Sequence, residues 1–249
     1  MKQKSLRKFL FFNFLIMAVF NFAHPVTPRL INELELVKNF DVFTYTLPGH
    51  EKLIVKNVKQ KDWIKESERQ IDILIQNKYK NIYVIGHSMG GVLATYLAYK
   101  YPKYVKKLVL VAPAFKYCCF DNDKLDIMKS IQKLPQILNS LPHDEVVERL
   151  IKTPIPTIIE FTNLVKENSN LFDKINCPTL IIHGKEDLLV PKDSTELVYN
   201  NINSKSVKLV NISKVNHNCF TGKRKEEVNN IIINYLKHTP KRKKEITDI

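Results

Sequence analysis

Cysteine is scarce in this sequence, and the four cysteines are not spaced for metal binding or redox chemistry. Cys118 and Cys119 are adjacent, whereas Cys177 and Cys219 stand alone. Four scattered thiols in 249 residues do not make a disulfide framework, so we expect a reducing compartment and a cytoplasmic protein. The sequence also lacks an H-x-x-H motif and any carboxylate cluster at ligand spacing. We therefore expect no metal and no cofactor.

Arginine is also scarce: the chain has six arginines and 33 lysines, and its net charge is +14. Nucleic-acid sites favour arginine-rich patches with interleaved aromatic residues. The sequence has no such patch, so we expect no nucleic-acid partner. Lysine and asparagine in place of arginine and alanine are typical of an AT-rich genome. The basic balance is also compatible with peripheral contact with an anionic membrane surface.

The apolar run at residues 9–22 is too short to span a membrane, since a helix of that length measures about 21 Å against about 30 Å of hydrocarbon. Four basic residues precede it, as in a signal peptide, with a cleavage site near Ala23. The alternative is a buried parallel strand at residues 14–19, which we favour because the rest of the chain predicts a sheet. The composition, 44% apolar and 26% charged, excludes a disordered chain and a polytopic membrane protein.

Apolar segments of strand length alternate with segments of helical periodicity along the chain. Strands are predicted at residues 41–47, 81–85, 108–111, 179–182 and 207–212, and helices at 62–79, 89–101 and 224–237. Strands this apolar are buried on both faces, which indicates an α/β fold with a mostly parallel sheet and helices on both sides. We predict one core formed by residues 1–113 and 176–249.

Residues 114–175 interrupt this alternation. They contain three segments of helical pattern, at 123–138, 143–152 and 155–167, and no convincing strand. We interpret the stretch as a small helical cap inserted over the edge of the sheet. The basic tail at residues 241–244 is interpreted as a solvated, frayed end.

Glycine is rare, yet three of the six glycines lie in G-H-S-M-G-G at residues 86–91, directly between a predicted strand and a predicted helix. A turn this tight strains its middle residue and requires glycine beside it, as in the G-x-S-x-G nucleophile elbow. The pattern predicts that Ser88 is a nucleophile exposed at the carboxyl end of the sheet.

A serine nucleophile needs a base, and the base needs an acid to orient it. Among the seven histidines, His217 lies on a late loop after a predicted strand, at the same edge of the sheet. Asp187 follows the strand at 179–182, with Glu186 as the neighbouring alternative. The order Ser88, Asp187, His217 matches one known architecture.

These motifs resemble those of the α/β-hydrolase superfamily, and within it the small bacterial carboxylesterases and monoacylglycerol lipases. The resemblance covers roughly residues 30–237 and rests on L-P-G-H at 47–50, G-H-S-M-G-G at 86–91 and C-P-T-L-I-I-H-G-K-E-D-L-L-V-P at 177–191. It implies that Ser88 is the nucleophile, Asp187 the acid and His217 the base. It also implies that the N–H of Met89 is one oxyanion donor.

Two positions depart from the family pattern. The family usually carries H-G after its first central strand, and no H-G precedes Leu30 here. An ungapped alignment makes Asn21 the second oxyanion donor, whereas an alignment on His24 makes it Val26, and we favour Asn21. The family also usually has glycine before the catalytic histidine, where this chain has Asn216, a residue type that tolerates left-handed backbone.

The resemblance implies serine hydrolysis of carboxylic esters. Because the cap is apolar, short- or medium-chain acyl esters or monoacylglycerols are the expected small-molecule substrates. The same triad would serve a thioesterase, an acyltransferase or a C–C hydrolase. A weakly active or non-catalytic hydrolase-fold protein that binds lipid is the alternative of a different class, since the H-G motif is missing.

Overall fold

The computed structural model describes residues 14–20, 40–50, 58–117, 120–121, 124–125, 153–220, 222–238 and 240–249. Within these ranges, seven parallel strands form one sheet: β1 Phe14–Phe20, β2 Asp41–Thr46, β3 Asn81–His87, β4 Val105–Val111, β7 Thr179–Gly184, β8 Val207–Ile212 and β9 Lys244–Asp248. The described helices are α1 Gln60–Gln76, α2 Met89–Lys100, α3 Ile155–Asn168, α4 Lys192–Asn201 and α5 Lys225–Lys237, with a 3-10 helix at Ser169–Lys174. The predicted α/β class is confirmed.

The strand order reverses direction beside β3. The order is β2-β1-β3-β4-β7-β8-β9, so the chain runs from β1 to β2 on one side and then crosses back to β3 on the other. In open α/β sheets, ligands bind where the strand order reverses in this way, outside the carboxyl ends of the strands. β3 ends at His87, and the next residue is Ser88.

Helices cover both faces of the sheet. Successive residues of a strand point to opposite faces, and accordingly Val84 and Ile85 belong to two separate apolar clusters. One cluster includes Trp63 of α1 and Leu93 of α2, and the other includes Ile232 of α5. Burial on both faces explains why β3, β4, β7 and β8 are apolar along most of their length.

The strand predicted at residues 14–19 is confirmed as β1. It has partners on both sides, since Met17 lies opposite Phe43 of β2 and Val84 of β3. Ala23, the cleavage site of the signal-peptide alternative, lies outside the described residues. Within the described part of the chain, no helix has both the length and the apolar character needed to cross a membrane.

Two expectations for residues 114–175 were wrong. A two-stranded antiparallel ribbon, β5 Phe120–Asp121 and β6 Lys124–Leu125, occupies a stretch where no strand was expected and where a helix from 123 was predicted. Strands of two residues are too short to produce a detectable alternation. The helix predicted at 155–167 is confirmed as α3, whereas the one predicted at 143–152 lies outside the described residues. The division into core and cap stays a prediction.

The interpretation of the basic tail as a frayed end was also wrong. Lys244 begins β9, which pairs with β8 at the edge of the sheet and is joined to the core by ion pairs such as Lys185–Asp248 at 2.9 Å. An edge strand has one neighbour and tolerates charged side chains, so its sequence resembles a solvated tail. Helix α4 was not predicted either, because Lys192–Asn201 is short and largely polar.

Candidate active site

Ser88 occupies a strained turn between β3 and α2. Its φ of 56° and ψ of −123° lie in a region that residues with a side chain rarely adopt. A Cβ at Gly86 would lie 2.2 Å from the carbonyl oxygen of Gly90, and a Cβ at Gly91 would lie 2.9 Å from the Cβ of Pro113. These approaches require glycine at both positions. The strain and the close packing are those of the elbow predicted from the sequence, whereas the predicted exposure of Ser88 was wrong, since the residue is 9% exposed.

Two backbone hydrogen bonds hold the elbow against the end of β4. The N–H of Ser88 donates to the carbonyl oxygen of Val111 at 3.0 Å, and the N–H of Ala114 donates to the carbonyl oxygen of Ser88 at 3.2 Å. Between them, Ala112 has a φ of 43°. The conformation of Ser88 is therefore fixed by its neighbours.

Asp187 and His217 form a buried pair at the carboxyl ends of β7 and β8. Nδ1 of His217 donates to Oδ2 of Asp187 at 2.8 Å, and the two side chains are 6% and 0% exposed, respectively. Because a carboxylate only accepts hydrogen bonds, the proton of the neutral imidazole lies on Nδ1. The lone pair of the ring then lies on Nε2, which is the atom that can act as a base.

The second carboxylate oxygen of Asp187 also accepts hydrogen bonds. Oδ1 accepts the N–H groups of Leu189 and Val190, each at 2.9 Å. Burial alone would raise the pKa of the Asp187 carboxyl, but the charge of His217, its hydrogen bond and the two N–H groups hold that pKa below its usual value. Asp187 therefore stays ionised beside the imidazole, whereas the neighbouring Glu186 is exposed.

The loop that carries His217 is joined directly to the loop that carries Asp187. The N–H of Glu186 donates to the carbonyl oxygen of Val215 at 3.0 Å. Asn216 does not adopt the left-handed conformation allowed for it, and Lys214, with a φ of 58°, is the residue of this loop that does. Asn216 instead accepts the N–H of Asn218 through Oδ1 at 3.0 Å, which stabilises the turn around His217.

The elbow meets the His217 loop through His87, which sequence reasoning left without a role. Nε2 of His87 lies 2.9 Å from the carbonyl oxygen of His217, and the two imidazole centroids are 4.9 Å apart. The residue before Ser88 is therefore in contact with the proposed base. The structure brings Ser88, Asp187 and His217 to the carboxyl end of the sheet.

Of the two oxyanion donors expected from the sequence, the structure describes one. Met89 is the first residue of α2, so no carbonyl group of the helix can accept its N–H, and its side chain is buried. Asn21 follows the last residue of β1 and lies outside the described residues. Over the described ranges, no group of three or more histidine, cysteine, aspartate or glutamate side chains is arranged to hold a metal ion.

Comparison with known proteins identifies the family. The sequence profile of the family described as serine aminopeptidase, S33, matches residues 37–224, which is well over half of the chain. The chain belongs to this family. The matched range includes Ser88, Asp187 and His217.

The chain is similar to several named hydrolases. Serine hydrolase BPHL of Mus musculus is 25% identical over 159 residues, with 61% of this chain and 54% of that protein covered. The thermostable monoacylglycerol lipase of a Bacillus species is 28% identical over 167 residues, with 63% and 62% covered. The chain thus spans about half the length of the first curated relatives that it matches.

A solved structure from work on LipS and LipT, two metagenome-derived lipolytic enzymes, superposes with a TM-score of 0.72 at 21% identity. The alignment covers 91% of this chain and 95% of that chain. At this identity the likeness concerns the fold, which is that of an α/β-hydrolase.

Proposed function

We propose that this protein is a serine hydrolase that cleaves carboxylic esters through an acyl-enzyme on Ser88. The observation that carries the proposal is the buried Asp187–His217 pair, with 2.8 Å between the bonded atoms, beside an elbow that holds Ser88 at a φ of 56°. This combination gives a nucleophile, a base in the required tautomer and an ionised group to orient the base. The relative named as a monoacylglycerol lipase supports ester chemistry.

In the acylation step, Ser88 Oγ attacks the carbonyl carbon of the ester while its proton passes to Nε2 of His217. The bond between the carbonyl carbon and the alcohol oxygen then breaks, and the alcohol leaves with that proton. Asp187 stabilises the imidazolium that exists between the two transfers. The N–H of Met89 donates to the developing oxyanion, aided by the partial positive charge of the helix N-terminus.

Deacylation repeats these transfers with water. His217 takes a proton from water as the water oxygen attacks the acyl carbon. The bond to Ser88 Oγ breaks, the carboxylic acid leaves, and the proton returns from His217 to Oγ. Asn21, at the end of β1, is our proposed second oxyanion donor, and its contribution stays a prediction.

An aromatic pair near the elbow supports an acyl-binding site. Phe161 of α3 packs against the apolar clusters of both sheet faces, so it has to reach over an edge of the sheet. Its ring lies 5.0 Å from that of Tyr117, three residues after Ala114, which donates to the carbonyl oxygen of Ser88. We infer that α3 is part of a cap at residues 114–175 and that an acyl chain lies beneath it, as in short- or medium-chain esters or monoacylglycerols.

Turnover of p-nitrophenyl esters of increasing chain length by the purified protein tests the proposal. We expect hydrolysis by the wild type and a loss of about 10³-fold or more in kcat for Ser88→Ala. Ser169→Ala, which removes a hydroxyl that donates to the carbonyl oxygen of Val165, is the matched control and should remain active. Both variants should unfold at wild-type temperature.

Parallel assays separate ester hydrolysis from the other reactions of the fold. Acyl thioesters test the thioesterase alternative. Aminoacyl anilides test aminopeptidase activity, after which the family is named. Faster turnover of either class than of every ester would contradict the proposed substrate class. No turnover, together with no covalent labelling of Ser88 by a fluorophosphonate, would favour the non-catalytic alternative. Cytoplasmic location and contact with an anionic membrane stay predictions.

A further inference from the structure

We infer that His87 is a positioning residue for the base: its Nε2–H holds the backbone of His217 against the nucleophile elbow. The inference rests on the proposed function, because it assigns to His87 a role in orienting the proposed base. It goes beyond the triad, since His87 neither belongs to it nor contacts substrate in the mechanism above.

The hydrogen bond fixes the tautomer of His87. The carbonyl oxygen of His217 can only accept, so the atom 2.9 Å from it, Nε2 of His87, must carry a proton. His87 is 3% exposed, so its ring cannot exchange this partner for water without moving. Leaving a buried donor of this kind unpaired costs free energy, so the hydrogen bond resists displacement of the His217 backbone.

The charge state of His87 is also fixed. Burial first, and then the positive charge that His217 can carry, lower the pKa of His87 to about 3. Among the described residues, His217 and Asp187 are the titratable groups whose charge acts on His87. His87 therefore stays neutral while His217 gains and loses a proton, and it does not compete for the proton of Ser88.

Two aromatic contacts constrain the plane of the ring. The centroid of His87 lies 4.9 Å from that of His217, and Phe220 packs against it edge to face at 5.6 Å. The His217 loop thus contacts His87 through its backbone oxygen, its imidazole and, three residues later, Phe220. Because His87 directly precedes Ser88, any shift of His217 relative to the nucleophile must break or bend this bond.

Two substitutions separate the hydrogen bond from the bulk of the ring. The amide nitrogen of glutamine can reach the place of Nε2, so His87→Gln keeps a donor, whereas His87→Leu fills a similar volume without one. We expect His87→Leu to lose roughly 10- to 100-fold in kcat with little change in KM, because the base is misplaced and binding is not. His87→Gln should recover most of that loss. Phe220→Leu, which removes packing from the same ring but no donor, is the matched control.

The pH profile distinguishes positioning from a general loss of structure. A looser His217 loop weakens the contact of the imidazolium with Asp187, so the acid limb of kcat/KM should move to lower pH in His87→Leu. It should stay in place in His87→Gln and move less in Phe220→Leu, which keeps the donor, than in His87→Leu. Equal losses in the leucine and glutamine variants, or a fall in kcat that merely follows a loss of folded protein in circular dichroism, would overturn the inference. Wild-type kcat in His87→Leu would overturn it as well.

Amide hydrogen exchange over residues 213–220 provides a readout that needs no substrate. We expect faster exchange in His87→Leu and wild-type exchange in His87→Gln. Unchanged exchange in the leucine variant would contradict the inference even if the protein hydrolysed esters. A wild type that hydrolyses no ester would instead contradict the proposed function and leave the exchange result standing. If His87→Leu does not fold, His87→Met offers an unbranched side chain without a donor.

Discussion

The α-carbon of Gly184 lies so close to the carbonyl oxygen of Val215 that a Cβ at Gly184 would stand 2.3 Å from it. Gly184 ends β7, and Val215 lies two residues before His217. The obstructing atoms are backbone, so they cannot rotate away. This contact brings the Asp187 loop and the His217 loop close enough for their side chains to pair at 2.8 Å.

Gly184→Ala should therefore damage the site and not only the fold. We expect a loss of about 1–3 kcal/mol in unfolding free energy, because the His217 loop must shift to admit the methyl group. The same shift should lower kcat while KM changes little. Gly222→Ala is the control, since Gly222 has a φ of 80° and no atom of the described residues lies within 4 Å of its would-be Cβ. That variant should lose stability through strain alone, and an equal fall in kcat would count against our explanation.

The aromatic pair of Tyr117 and Phe161 should set the preference for acyl-chain length. Shortening Phe161 to alanine enlarges the space beneath α3, so longer acyl chains should gain relative to short ones. We expect a change in the ratio of kcat/KM for long p-nitrophenyl esters to kcat/KM for short ones. The change should be equivalent to about 1–3 kcal/mol, the range for one hydrophobic contact. Ile155→Ala, on the exposed face of the same helix, is the control. An unchanged profile in Phe161→Ala would place the acyl chain elsewhere.

Much of the site could be predicted from the sequence because its residues follow strong local patterns. Ser88 stands between glycines after an apolar strand, and Asp187 and His217 each follow such a strand. His87 was not predicted to have a role, because its partner is a backbone oxygen 130 positions away along the chain. The edge strand β9 was missed for a related reason. Its pairing with β8 is long-range, and its own charged sequence gives no apolar signal.

Acid should destabilise the protein through His87. The pKa of His87 is about 3 in the fold, below its ordinary value of 6.5, so the unfolded chain binds a proton between these values that the native state does not. Stability should then fall with decreasing pH through this window, at up to about 1.4 kcal/mol per pH unit from this group. Urea unfolding at neutral and acidic pH checks the slope. His87→Gln, which cannot titrate, should have a shallower slope, and an equal slope would exclude His87 as the cause.

Strand β1 lies between β2 and β3, with Met17 opposite both Phe43 and Val84. Deleting residues 1–23 removes this strand and leaves unpaired backbone on both neighbours, which is costly for groups buried in a sheet. It also removes Asn21, the proposed second oxyanion donor. We expect insoluble or inactive protein from this deletion, whereas deleting residues 1–10, which leaves β1 intact, should give folded enzyme. Solubility, circular dichroism and ester turnover of the two truncations decide the matter. A soluble and active 1–23 deletion would mean that β1 is dispensable, and the signal-peptide reading of the N-terminal segment would then be preferred.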